Sequence, residues 1–212
     1  VGSLFRQMNE PNQAPGGRFK HVEYFNGGLF KVVKPLQMDK QEIHYLAKAA
    51  THNWSKIKPE IFGTLFERSI DQDQRHAEGA HFTSEVDIMK IVRPTIVLPW
   101  REAIAAAGKK VGVLQELATR ITKFRVLDPA CGSGNFLYVA YRALVQVELE
   151  LLARLVEVSG PTTRKRTSSM LSTLNFYALD VNPFAVELAK VTLMLAKRLA
   201  IVPSDSSAAR MP

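Results

Sequence analysis

The chain has 212 residues, 46% of them apolar, with a net charge of +8 and a sequence pI near 9.7. That is enough apolar material for one full domain or one and a part; it excludes a disordered chain, and the basic balance suits a nucleic-acid partner. The lone Cys131 excludes an internal disulfide and fits a reducing cytoplasm, and no uncharged apolar run reaches the ~20 residues a membrane span needs.

No signal peptide opens the chain, and a first residue of Val1 suggests a fragment of something longer. Residues 1–20, rich in Asn, Gln, Pro and Gly from Asn9 to Gly17, read as linker or surface loop. Tyr24-Phe25-Asn26-Gly27-Gly28-Leu29-Phe30 sets aromatics around a turn, a docking loop anchored by Phe25 and Phe30. Asp39 is placed to cap a helix running to about Ala50, with Ile43, Leu46, Ala47 and Ala50 on one face. Pro59 suits the first turn of another helix, through Ile61, Leu65, Phe66 and Ile70 to about Asp71. Both read as a connector that packs against the larger C-terminal part of the chain. His21, His44, His52, His76 and His81 show no ligand spacing, so no metal site is expected. After Gly79-Ala80-His81-Phe82-Thr83, Ser84 and Asp87 resemble a capping box opening a helix from Glu85 to about Val92. Helical pattern then runs from Ile91 to Gly108, with interruptions at Pro94 and Pro99, and from Val111 to Thr122.

The most specific stretch comes next. An apolar run (Phe124, Val126, Leu127) meets Asp128-Pro129-Ala130-Cys131-Gly132-Ser133-Gly134-Asn135-Phe136-Leu137 and then a long helical pattern. That is a strand, a glycine turn and a helix N-terminus. Gly132 and Gly134 tolerate positive φ and let a ligand approach the backbone, and the first helical N–H groups offer it donors. An acid at the strand tip repels phosphate and suits a partner with hydroxyls or an ammonium group. A dinucleotide fingerprint needs glycine where Leu137 stands, and no G-x-x-x-x-G-K-[ST] loop occurs in the chain. A glycine connection with no ligand is the remaining plain reading.

Phe136, Ala140, Ala143, Val147, Leu151, Leu155 and Val158 then recur at helical spacing, a packing stripe. Gly160 to Ser169 is a loop carrying Arg164-Lys165-Arg166, either solvated or a phosphate clamp, which by itself reads no sequence. Asn175 to Asp180 is a second apolar run ending in an acid, followed by Val181-Asn182-Pro183-Phe184 and a helix to about Leu199. Asn182 reads as the cap of that helix and Pro183 as its first residue. The two units form β-α-β-α with parallel strands. A two-stranded sheet is a marginal core, so poor independent stability is expected.

Asp128 to Leu137 resembles motif I, D-P-x-C-G-[ST]-G-x-[FL]-L, of the S-adenosylmethionine-dependent DNA adenine methyltransferases. Over about residues 25–200 the chain is most similar to the methyltransferase portion of type IIL restriction–modification enzymes, which carry a similar F-N-G-G-L-F stretch upstream. Gly79 to Ser84 resembles their motif X, G-x-x-[FY]-T-P, with Ser84 where proline is usual. Asp180 resembles motif II. The resemblance implies an α/β, partial Rossmann-like methyltransferase fold, its first two parallel strands with helices preceded by a helical connector. It divides the chain into linker and connector, 1–75, and the N-terminal cofactor-binding part of a methyltransferase domain, 76–212, truncated before the catalytic loop.

It also implies S-adenosylmethionine as cofactor. Ala80, His81, Phe82 and Thr83 would close over its methionine end. Asp128, Pro129, Ala130, Cys131, Gly132, Ser133, Gly134, Asn135 and Phe136 would position the amino-acid moiety, with Phe136 open to a core reading as well. Asp180, with Val181 and Asn182, would hold the ribose. The implied activity of the intact parent is methylation of adenine N6 in double-stranded DNA within a restriction–modification system. The fragment itself is expected to be inactive, because N-P-P-[YF] is absent; Asn182-Pro183-Phe184 has one proline and opens a helix. Cys131 is no cytosine-type nucleophile, since no Pro-Cys dipeptide occurs, and reads as a small buried turn residue. Two other readings stand beside this one: a non-enzymatic fragment that binds DNA or a partner chain, and part of an RNA or protein methyltransferase, which the motif X match disfavours. Oligomeric state and DNA recognition sequence are open.

Overall fold

The computed structural model describes residues 2–10, 17–20, 22, 37–53, 61, 83–160 and 169–201, and the chain divides into two compact units, Val1–Ile61 and Phe62–Pro212. The Phe25–Phe30 turn, the helix expected after Pro59 (Ile61 apart), Ala80 to Phe82, the Arg164–Arg166 loop and the tail after Ile201 lie outside the described residues.

In the first unit, helix α1 spans Gly2–Asn9 and α2 spans Lys40–Thr51. Helix α1 corrects the linker expected over the first 20 residues. Leu4, Phe5 and Met8 share a helical face, and the loop-forming composition begins only at Asn9. Asp39 caps α2 as its position predicts. Its carboxylate accepts the Glu42 N–H at 2.8 Å, and the Glu42 carboxylate accepts the Asp39 N–H at 2.9 Å, a full capping box. The apolar face of α2 is open, with Ile43 and Leu46 exposed.

The second unit begins, among the described residues, with α3 (Glu85–Val92). Ser84 caps it: the hydroxyl accepts the Asp87 N–H at 3.2 Å and donates to the Asp87 carboxylate at 2.7 Å. The expected interruptions at Pro94 and Pro99 do not break the helix. Arg93–Val97 widens into a π-turn, in which the Leu98 N–H donates to the Arg93 carbonyl, and α4 (Leu98–Ala107) follows directly. The wider register accommodates the missing N–H and the ring of Pro94 without a kink-and-stop. Helix α5 (Val111–Ile121) leads to β1 (Val126–Asp128), then α6 (Asn135–Ser159), a 3-10 turn (Thr173–Asn175), β2 (Phe176–Ala178) and α7 (Pro183–Ile201).

The strands pair in parallel, with Val126 opposite Phe176, Leu127 opposite Tyr177 and Asp128 opposite Ala178. Helix α6 is the hub and packs against α3, α5 and α7. Along it Ala140, Val147, Leu151 and Leu155 are buried, with Phe136, Ala143 and Val158 partly buried against the same core, as the stripe predicts. One face of the sheet, through Val126, Phe176 and Ala178, joins that core; on the other, Leu127, Tyr177 and Leu179 are exposed.

Two contacts fix where the second strand-turn-helix unit sits. Glu148, on the buried side of α6 and 2% exposed, accepts the Ser169 hydroxyl and the Met170 N–H, the latter at 3.0 Å. It pins the chain as it returns toward β2. Gly134, at φ +85°, lies so close to α7 that an added Cβ would sit 2.8 Å from the Ala189 Cα, so the two helices meet backbone to backbone.

Gly134→Ala should therefore destabilise the chain by about 2–4 kcal/mol, combining left-handed strain with a clash that no rotamer relieves. Gly132→Ala, whose Cβ would meet nothing within 4 Å, should lose only about 1 kcal/mol. Urea denaturation of the two variants separates them, and equal losses would contradict the assigned roles. Glu148→Ala strands a hydroxyl and an N–H and should cost about 1–3 kcal/mol, with faster hydrogen exchange at Met170.

Candidate functional site

The site lies at the carboxyl ends of β1 and β2, where the two turns are laced together. The Leu179 N–H donates to the Asp128 carbonyl at 3.0 Å and the Cys131 N–H to the Leu179 carbonyl at 2.9 Å, carrying the ladder past the strand ends. Asp180 braces both turns: Oδ2 accepts the Gly132 N–H at 2.8 Å and Oδ1 accepts the Asn182 N–H at 2.9 Å. Asn182 in turn caps α7, its side-chain oxygen accepting the N–H groups of Phe184 at 2.9 Å and Ala185 at 3.3 Å, as the Asn-Pro order predicts.

Asp128 ends the neighbouring strand, close enough to Asp180 to feel its charge. The Asp128 Oδ1 accepts the Ala130 N–H at 3.2 Å, while Oδ2 is buried and has no hydrogen-bond partner among the described residues. Burial raises the Asp128 pKa above the usual carboxylate range; the Ala130 hydrogen bond opposes this, and repulsion from Asp180 adds to it. An orphaned buried carboxylate oxygen is costly and calls for a donor, most effectively a charged one.

The glycine turn completes the site. Gly132, at φ +49°, borders open space, whereas Gly134 is spent on packing. Gly134 also serves as the cap of α6 without any side-chain cap bond, and no acid lies in the first turn of that helix. Its first N–H groups therefore receive no acceptor from a capping side chain. Asn135, 8% exposed, buries an unpartnered side-chain oxygen there. Ser133 is likewise buried, Pro129, Ala130 and Val181 are exposed, and Phe136 is partly buried against the core. Cys131 is 6% exposed; burial, then the negative charges of Asp180 and Asp128, push its thiol up to about 11.

Thr83 immediately precedes the cap of α3, and Glu85 on that helix pairs with Arg142, two turns into α6, at 3.7 Å. The start of α3 therefore lies alongside the first turns of α6. Ala80, His81 and Phe82 lie outside the described residues.

The family model for the MmeI DNA-methyltransferase domain matches residues 104–210, half of the chain. This chain belongs to that methyltransferase family. It is 32% identical over 197 residues to DNA methyltransferase A of Bacillus subtilis strain 168, covering 89% of this chain and 21% of that protein. A 74-residue stretch, 35% of this chain and 6% of the relative, is 32% identical to the adenine-specific methyltransferase PglX of Streptomyces coelicolor. Among solved structures, the type IIL restriction–modification enzyme MmeI in complex with DNA superposes with a TM-score of 0.79 at 28% identity, covering 92% of this chain and 27% of that one. The chain thus spans about a fifth to a quarter of these two longer proteins. Both its family and its partial methyltransferase fold agree with the sequence reading.

Two residues that support these two turns escape sequence reading. Glu148 is an acid inside an apolar run, and its spacing from Leu144, Leu151 and Leu155 places it on the buried face, which was the available clue. Ala189, the partner of Gly134, carries no such mark.

Cys131 provides a check on the turn. At pH 8, iodoacetamide should alkylate the folded chain about 100-fold more slowly than the urea-unfolded chain, because so little thiolate is present. Rapid alkylation of the folded chain would contradict a buried, inert role.

Proposed function

We propose that Phe62–Pro212, or residues 76–212 by the motif boundaries, is the cofactor-binding part of a site-specific DNA methyltransferase, with S-adenosylmethionine as methyl donor and adenine N6 as acceptor in a restriction–modification setting. The observation that carries the reading is the pair of strand-end carboxylates beside one glycine turn, Asp180 bonded to Gly132 and Asp128 close enough to feel its charge. When bound, the cofactor supplies a methyl group on a positively charged sulfur.

The residues present fit such a ligand. The Asp128 carboxylate would take the ammonium group of the methionine moiety, and the uncapped first N–H groups of α6 its carboxylate. Asp180 uses one acceptor position on each oxygen for the backbone and keeps the others for the two ribose hydroxyls. Gly132 leaves room for close approach, and Thr83, with Ala80 to Phe82, would close over the methionine end. Adenine as acceptor is supported by the likeness to motif I and by the match to an adenine-specific relative. No N-P-P-[YF] occurs in these 212 residues, so methyl transfer to duplex DNA is proposed for the full-length protein and not for this chain alone.

Isothermal titration calorimetry with S-adenosylmethionine tests the reading: a folded sample should bind with measurable heat, and none overturns it. Asp128→Asn and Asp180→Asn should each weaken binding roughly 10- to 100-fold. Affinity should also fall as pH is lowered through the raised Asp128 pKa, since the ammonium group needs the ionised form. The stability trend has the opposite sign. A carboxylate whose folded pKa is raised contributes stability below its unfolded pKa and loses it as pH rises through the folded one. Asp128→Asn should therefore leave the unfolding temperature at pH 7 unchanged or higher while binding weakens.

A further inference from the structure

At the other end of β1 from Asp128, a cleft of about 570 Å3 opens between α4, α5 and the approach to the strand. Its floor is apolar: Trp100, Leu117 and Phe124, with Trp100 set edge-on to Phe124 at 5.8 Å between centroids. Its rim is basic: Arg120, Lys123 and Arg125 are exposed, and among the described residues none of the three forms an ion pair. The Arg120 guanidinium lies 5.9 Å from the Trp100 ring centroid, over its face.

Three cations within six residues, with no carboxylate partner among the described residues, repel one another and favour an anionic partner. The floor decides which kind. A duplex backbone brings phosphates but nothing to fill an apolar cleft. A nucleobase needs an open aromatic face to stack on, and Trp100 is 8% exposed, with Arg120 over its ring and Phe124 at its edge. A second copy of the chain would bring another net charge of +8 toward a basic rim. An acidic polypeptide meets both demands, with an apolar side chain on the floor and carboxylates at the rim.

We propose that this cleft seats an acidic polypeptide segment carrying an apolar anchor residue, supplied by the part of the full-length protein outside these 212 residues. The chain spans 21% of DNA methyltransferase A and 27% of MmeI, so proteins of this kind have ample length for such a segment. Intramolecular docking needs little intrinsic affinity, because the effective concentration is high. The cleft is separate from the turn at Asp128, so this inference goes beyond the proposed cofactor site and does not depend on it.

The test places a photo-crosslinking amino acid at Thr95, which lines the cleft, in the full-length protein with duplex DNA present. The expected product is an intramolecular crosslink, independent of protein concentration, to a segment outside residues 1–212 with Asp or Glu beside an apolar residue. Lys123→Glu with Arg125→Glu, neither of which packs on Trp100, should cut its yield roughly tenfold or more. Lys123→Gln with Arg125→Gln should lower it less, and both pairs should keep the unfolding temperature. Crosslinks to the duplex, to a second copy, only within residues 1–212 or to a non-acidic segment, no crosslink, or a yield indifferent to charge reversal would overturn the proposal.

Discussion

Asp180 holds the second unit together. Strands of three residues make too few backbone hydrogen bonds to specify a register alone, and a two-stranded sheet with an open face is marginal. The carboxylate reaches across 48 residues of sequence to the Gly132 N–H and, from its other oxygen, back to Asn182. One side chain thereby fixes the shape of the glycine turn, the start of α7 and the alignment of both strand ends. The Cys131 and Leu179 backbone bonds can form only once that alignment exists.

Around this brace the turn divides its labour. Gly134 exists to let α6 and α7 touch, and any side chain there meets Ala189. Gly132 differs: a Cβ there would meet open space, and its N–H is held by Asp180. Asp128 stands beside it with an oxygen lacking a donor among the described residues and a repulsive neighbour, an arrangement that costs stability. Such local conflict is expected where folding and ligand recognition compete for the same residues.

Charge is distributed along the sheet in a corresponding way. Two acids gather at the carboxyl ends of the strands and three cations, without an ion pair among the described residues, at the entry to β1, in a chain that is basic as a whole. The two ends therefore select different chemistry, and neither the apolar stripe of α6 nor net charge alone would separate them.

Local physics was readable in advance. Asp39, Ser84 and Asn182 cap helices because a short polar side chain beside an apolar period has one obvious use. The stripe on α6 is a matter of spacing, and the parallel pairing of β1 with β2 follows from two strand-turn-helix units in succession. Composition misled at residues 2–9, where a short apolar face outweighed a loop-like neighbourhood, and at Pro94, where a π-turn absorbed what reads as a break. Tertiary structure alone decided that Gly134 answers to Ala189, that Glu148 holds the return to β2, and that Asp180 grips Gly132 while Asp128 is left short of a donor. The physical reason is range. Caps and periodicity act within a turn or two of chain, whereas a buried acceptor finds or lacks its donor only after distant segments have packed.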